Sequence, residues 1–386
     1  MKIVDVCGFY TPFGGGIRTY IEQKLRLAEQ LGHDITVLAP GVRAECRVVS
    51  SSARIEFLPS PHFLLDRKYF AFADEKAVHC ALDRLKPDLI EASSPWRSAN
   101  YVASYPGPVP RALIMHSDPL SAHAYRWFER VAEPTSVDRA FDWFWRRLRT
   151  YGQQFDLVVS ANRHLSERLI TGGVANVATV PMGVEQGLFS PAHRDEDLRR
   201  DLLASCALGP DATLLIAAGR LATEKRVPML VDAATRAGRK RPIALAIFGE
   251  GRTLPDVIRA IAGNPHVRVF APVRDRQQFA RLLASADALL HGCEAETFGM
   301  VAAEATASGL RVVAPLAGGV SDFARLTPGL GFTPLDAVDA SRAILQLPVH
   351  GQAAPWTAEV RTMAEHLGQL FDHYHDLASQ GASKAA

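Results

Sequence analysis

Apolar residues along this chain fall into two alternating rhythms. Short continuous runs at residues 2–7, 34–39, 88–91, 111–115, 156–160 and 177–180 read as buried strands, being too short for helices and lacking a steady polar side. Between the first two runs, Ile17, Tyr20, Ile21, Leu25, Ala28 and Leu31 recur at helical spacing and stop at Gly32, which predicts a helix. The chain therefore opens as strand, glycine loop, helix, strand, a parallel βαβ unit. Residues 75–85 also read as helix. A second array begins at residue 213, with strands at 213–218, 243–248, 267–270, 288–290 and 311–314. Helices near 229–237, 254–261, 278–284 and 300–308 alternate with them. Residues 181–200, with Gly183, Gly187 and Pro191, read as a linker. Val360, Met363, Leu367, Leu370 and Phe371 predict a long amphipathic helix over 356–377, followed by a polar end at 379–386 that reads as frayed. The pattern predicts an α/β fold of two successive arrays of alternating strands and helices.

Composition narrows the class. With 386 residues and 48% hydrophobic content the chain can fill two or three cores. A net charge of +2 gives no electrostatic case for nucleic acid. The cysteines at 7, 46, 80, 206 and 293 are odd in number, scattered and without metal-ligand spacing, so a reducing cytoplasm is expected. No basic segment followed by a long apolar one opens the chain, so no signal peptide is expected, and no run of about 18 apolar residues predicts a membrane span.

Candidate chemistry concentrates at the carboxyl ends of predicted strands, where open α/β sheets bind ligands. After the strand at 288–290 come a loop and a helix, and across that junction stand Glu296 and Glu304 with seven residues between them. Glu296 lies in the loop and Glu304 inside the helix, near its start. Backbone N–H groups of Phe298, Gly299, Met300 and Val301 lie between them, and the first N–H groups of a helix lack intrahelical partners. An anion site flanked by two acceptor carboxylates suits a ligand with both phosphates and hydroxyls, such as a nucleotide sugar. Arg220 and Lys225, just after the strand at 213–218, can converge on a diphosphate or form an exposed charged loop.

In the N-terminal half, Gly14-Gly15-Gly16 either allow close phosphate or sugar contact or serve a tight turn. His116, with Ser117 and Asp118 after it, either faces a ligand or caps its strand. Residues 124–152 interleave Tyr125, Trp127, Phe128, Phe141, Trp143, Phe144 and Trp145 with Arg126, Arg130, Arg139, Arg146, Arg147 and Arg149. As an amphipathic helix this stretch could lie on an anionic membrane, bind an acceptor, or pack against the first sheet. Asp195-Glu196-Asp197 reads as a solvated helix start rather than a metal-binding pair.

In this order the motifs resemble the retaining glycosyltransferases of glycosyltransferase family 4, which have the GT-B fold of two Rossmann-like domains facing each other across a cleft. The resemblance spans nearly the whole chain. It rests on Glu296 and Glu304 with Gly309 and Val312-Val313-Ala314, on Gly318-Gly319, and on Gly219-Arg220-Leu221 with Lys225. Gly249-Glu250-Gly251, Gly14-Gly15-Gly16 and His116 complete it. Two positions depart from the family pattern: His291-Gly292-Cys293 stands where Pro-Ser is common, and Asp322 where a glutamate usually follows the glycine turn. Both bear on sugar specificity.

The resemblance implies transfer of a hexose, with retention, from a UDP- or GDP-linked donor to a hydroxyl of a lipid-linked or envelope glycan. It implies same-face attack and no essential metal or other cofactor. Arg220 and Lys225 would bind the diphosphate, Glu296 the hydroxyls of the transferred sugar, and Glu304 the ribose. The N–H groups of Phe298, Gly299, Met300 and Val301 would complete the donor site, with Gly15 and Gly16 closing onto the diphosphate. His116 would sit by the sugar near its C6 hydroxyl, and Asp118 by the acceptor. His116, Arg220, Lys225 and Glu296 form the expected catalytic set. The expected domains are 1–185 on the acceptor side, 186–355 on the donor side, and a helix over 356–386 crossing back to the first. A lipid-linked acceptor would bring peripheral contact with the inner membrane leaflet. The competing readings are a nucleotide-sugar epimerase and a GT-B protein that binds nucleotide sugars without transferring them; the presence of Arg220, Lys225, Glu296 and Glu304 favours the enzyme.

Overall fold

A computed structural model describes residues 1–11, 16–63, 69–129, 131–349 and 356–385. Its two compact units are Met1–Leu120 with Trp127–Pro181 and Met363–Ala386, and Ser121–Arg126 with Met182–Thr362. Residues 182–185 and 356–362 thus group with the second unit, and the last helix with the first.

The first unit is built on β1 (Lys2–Val6), β2 (Asp34–Gly41), β3 (Glu45–Ser50), β4 (Ala53–Pro59), β5 (Leu89–Ser93), β6 (Arg111–Met115), β7 (Leu157–Ser160) and β8 (Val177–Thr179). They are ordered β3-β4-β2-β1-β5-β6-β7-β8. All neighbours pair in parallel except β3, which lies antiparallel on the edge against β4. The sequence pattern did not reveal β3, because every residue from Glu45 to Val49 is exposed and an edge strand without a buried face leaves no period to read.

The second unit carries β9 (Thr213–Ala218), β10 (Ile243–Phe248), β11 (Val267–Phe270), β12 (Ala288–Leu290), β13 (Arg311–Pro315) and β14 (Gly331–Phe332), ordered β11-β10-β9-β12-β13-β14. Counted within the unit this is the doubly wound order 3-2-1-4-5-6, and the parallel strands of the first unit begin the same way. Its core packs Leu215, Leu245, Ile247, Leu290 and Val313 of the sheet against Leu230, Val231 and Ile344 of the flanking helices. In each unit the strand order reverses beside the first strand, between β1 and β5 and between β9 and β12. That crevice is where such sheets receive ligands.

Three expectations are corrected. The helix after β1 spans Gly16–Leu27, shorter than its apolar stripe, because the chain turns at 28–33 where Gly32 takes φ 72°. Residues 124–152 are three helices rather than one: Tyr125–Phe128, Pro134–Ala140 and Asp142–Gln154. Pro134 stands first in the middle helix and Glu133 before it is extended (φ −72°, ψ 151°), as a residue preceding proline prefers. The last helix is Met363–Ala385, later in start than expected and without a break at residue 379. Its start is set by pairing: Val184 N–H donates to the Arg361 carbonyl at 2.9 Å, which holds 361–362 in a bridge to Val184.

Candidate active site

In the second unit the expected charged residues gather beyond the carboxyl ends of β9 and β12. Gly219 leaves β9, Arg220 follows, and a single 3-10 turn, Thr223–Lys225, brings Lys225 back. The Lys225 ammonium bonds the Glu296 carboxylate, whose Oε1 also lies 3.5 Å from His291 Nε2. Cys293 N–H donates to His291 Nδ1 at 3.2 Å, so the imidazole proton sits on Nε2 and points at Glu296. Burial opposes the charge on Glu296, yet Lys225 and His291 together hold its carboxyl well below the usual range. Burial lowers the pKa of His291, against the pull of Glu296.

Arg220 is 71% exposed, and its Nη2 meets Glu224 Oε1 at 2.9 Å. Glu224 also accepts from Arg126 at 3.0 Å, and next to it Arg226 forks onto Glu294, with Nη2 at 2.6 Å and Nε at 3.2 Å from Oε1. Arg220 and Lys225 line a cavity together with Gly219, His291 and Gly292.

Glu304 lies within the helix Met300–Ala307 and is only 3% exposed. Burial raises its pKa, against the Arg276 guanidinium 2.8 Å away. Arg276 in turn lies over the Phe189 ring, 4.9 Å from its centre. The helix starts at Gly299 in the left-handed region (φ 88°), with no side chain capping its first N–H groups. Phe298, Gly299, Met300 and Val301 therefore present an uncapped helix start between the two glutamates.

The glycine turns that resembled family motifs serve backbone contact. A Cβ on Gly319 would lie 2.5 Å from the Thr297 carbonyl and 2.7 Å from Phe298 Cα, and Gly319 N–H donates to the Glu296 carbonyl at 2.7 Å. The turn after β13 thus clamps the Glu296 loop from behind. A Cβ on Gly249 would likewise strike the Gly219 carbonyl, so the turn after β10 backs the Arg220 loop.

In the first unit His116 follows β6, its ring edge-on to Tyr20 at 4.9 Å and its Nε2 3.3 Å from Ser93 Oγ at the end of β5. Burial pushes its pKa down to about 4. Asp118 accepts from Leu120 N–H at 3.1 Å and pairs with Arg168. Gly16 begins the first helix with open space around its Cα, while Gly14 and Gly15 lie outside the described residues. Asp195 caps the helix Glu196–Ser205 by accepting from Leu198 N–H.

The two halves of the chain match two family models. "Glycosyltransferase Family 4" matches residues 14–187 and "Glycosyl transferases group 1" matches residues 212–348. Over 316 residues, 81% of this chain and 79% of the relative, it is 30% identical to the GDP-mannose-dependent alpha-(1-6)-phosphatidylinositol dimannoside mannosyltransferase of Mycobacterium tuberculosis. The chain belongs to glycosyltransferase family 4.

This family 4 chain is also 25% identical, over the full length of both proteins, to a GDP-mannose-dependent alpha-mannosyltransferase of Mycolicibacterium smegmatis. Among solved structures, sucrose-phosphate synthase from Thermosynechococcus elongatus matches 100% of this chain and 98% of its own at TM-score 0.71 and 18% identity. Anabaena HepE, solved with UDP, matches 100% of this chain and 99% of its own at 0.67 and 17%. These likenesses give the fold, GT-B. The chain is a nucleotide-sugar glycosyltransferase of the hexosyltransferase class.

Sequence reasoning missed two residues of the second unit's site and one buried cluster of the first unit. His291 was noted only as a departure from the family pattern, and its bond to Glu296 appears only in three dimensions. Arg276 lies just ahead of the helix predicted at 278–284, and nothing local ties it to Glu304. Lys24, Asp5 and Glu91 form a buried cluster behind His116; a lysine on the apolar stripe of the first helix and an acid inside each of two buried strands were the available signal.

Proposed function

We propose that this enzyme transfers mannose from GDP-mannose, with retention, to a hydroxyl of a membrane-borne glycolipid, forming an α-linkage. The observation that carries the proposal is the 30% identity, across both units, to a GDP-mannose-dependent enzyme acting on phosphatidylinositol dimannoside. The site agrees with a donor of this kind. Arg220 and Lys225 supply positive charge for a diphosphate leaving group, Glu296 is a fixed carboxylate for sugar hydroxyls, and Glu304 serves the ribose.

In the proposed step the bond from the anomeric carbon to phosphate oxygen breaks and the acceptor oxygen bonds the same face. The acceptor proton passes to the departing phosphate. Positive charge from Arg220, Lys225 and the uncapped helix start would take the place of a metal ion. The exposed aromatics Trp127 (66%) and Trp143 (51%) support peripheral seating on a lipid surface. Among the described residues no helix is long and apolar enough to cross a membrane.

The test supplies GDP-mannose or UDP-glucose to the protein with phosphatidylinositol mannosides in anionic vesicles, under excess chelator. Mannosyl transfer from GDP-mannose that survives the chelator is expected, weakened when Trp127 and Trp143 are replaced by serine. Transfer only from the UDP sugar, or loss of activity restored by added metal, would contradict the donor or the metal-free step.

A further inference from the structure

Behind His116 lies a polar chain that the transfer step does not use. Asp5 on β1 and Glu91 on β5 are direct partners in the sheet register, which sets two fully buried carboxylates side by side. Lys24, also 0% exposed, reaches between them, with Nζ 3.1 Å from Asp5 Oδ2 and 2.7 Å from Glu91 Oε1. Tyr374 of the last helix donates to Glu91 Oε2 at 2.7 Å. Two residues beyond Glu91 and on the same face of β5, Ser93 donates its hydroxyl proton to Asp5 Oδ1 at 2.9 Å. His116 Nε2 stands 3.3 Å from the Ser93 hydroxyl oxygen itself. The next residue, Ser94, takes φ 115°, a strained value for a residue with a side chain, at the end of the strand that carries Ser93.

A serine hydroxyl has one proton. If Asp5 accepts it, Ser93 can offer His116 only a lone pair, and Nε2 must carry the imidazole proton. We infer that Asp5 and Ser93 are positioning residues that fix His116 in the Nε2–H tautomer and so present Nδ1 to substrate as a hydrogen-bond acceptor. No described residue bonds Nδ1. The other polar neighbours do not compete for it: Tyr20 meets the ring edge-on and its hydroxyl lies 3.5 Å from His366 Nε2, while His366 Nδ1 faces the Pro181 carbonyl at 2.9 Å. Lys24 sets the polarity of the chain, since its ammonium requires an oxygen from residue 5 and leaves the other atom of that group for Ser93. The inference rests on the reading that His116 meets the donor sugar; the tautomer itself does not depend on that reading.

The experiment is 15N NMR of histidine-labelled protein at pH 8, with the His116 resonances assigned through His116→Gln. The wild type should show a protonated Nε2 and a bare Nδ1. In Asp5→Asn the amide oxygen faces Lys24 and the amide N–H faces Ser93, which turns the serine proton toward His116, so the protonated nitrogen should become Nδ1. Ser93→Ala should give a mixture of tautomers and Ser93→Thr the wild-type pattern. In steady-state transfer Ser93→Ala should lower kcat about tenfold, with donor KM within about twofold and recovery in Ser93→Thr. A protonated Nδ1 in the wild type, or the same tautomer in Asp5→Asn, would overturn the inference. Full transfer by His116→Ala with the tautomers as expected would instead remove His116 from the sugar site.

Discussion

Each unit sets a lysine against carboxylate at the crevice where its strand order reverses, Lys24 between Asp5 and Glu91 and Lys225 on Glu296, and the two lysines have different fates. Lys24 is wholly enclosed, and both carboxylates it touches are enclosed with it. Lys225 is 25% exposed, its partner Glu296 is 23% exposed, and the cavity beside it opens at Arg220. Desolvation makes the first cluster costly to leave unpaired and closes it to any ligand. The second cluster keeps its charge within reach of an incoming diphosphate. Similar chemistry on the same topology thus serves as scaffold in one unit and as site in the other, and burial decides which.

The sharpest way to break this comparison is to remove each lysine. Lys24→Met should lower stability by about 3–5 kcal/mol in urea unfolding, because Glu91 is left as an uncompensated buried charge. Lys225→Ala should change stability by no more than about 1 kcal/mol and slow transfer about 100-fold or more. A stable Lys24→Met protein, or an active Lys225→Ala enzyme, would mean that burial does not separate the two roles.

A smaller effect tests the donor side. Burial already raises the pKa of Glu304, and Arg276 restrains it. Arg276→Gln should weaken GDP binding about tenfold, and the loss should deepen as pH falls, since Glu304 then protonates more readily. A loss independent of pH in calorimetric titrations would assign Arg276 a direct contact instead.

The smallest effect concerns stability against pH in the first unit. Burial lowers the pKa of His116 to about 4, so its contribution, full above pH 6.5, is lost as pH falls toward 4. Burial raises that of Asp5 to about 7, against the pull of Lys24, so its contribution, full below pH 3.8, is lost as pH rises toward 7. The two oppose each other between pH 4 and 6.5. Asp5→Asn should therefore steepen the loss of stability on acidification across that window, read as the urea midpoint at each pH. An unchanged slope would show that Asp5 holds no extra proton in the folded chain.

What the sequence disclosed follows the range of each interaction. The junction carrying Glu296 and Glu304 was legible because strand, loop and helix lie within a few residues, and their order fixes where each acid stands. Most strands of the two sheets were legible for the same reason, as continuous apolar runs, whereas β3, β4 and the two-residue β14 were missed. The pairings were not. Lys24 meets Glu91 across 67 positions and Arg276 meets Glu304 across 28, with no periodicity to announce either. The broken helices at 124–152 misled in another way, since Pro134 interrupts a stretch whose composition alone favours one helix. Phe144, Trp145 and Tyr151 are buried there while Trp127 and Trp143 are exposed, so packing and surface roles divide one segment.

The central claim is that the second unit's crevice, between β9 and β12, is the nucleotide-sugar site. Isothermal titration of GDP into the wild type and into Glu304→Ala tests it most directly. One GDP should bind the wild type, and at least tenfold more weakly after the substitution, with the urea midpoint of the variant unchanged. Equal GDP affinity in the two proteins would place the nucleotide elsewhere and contradict the account.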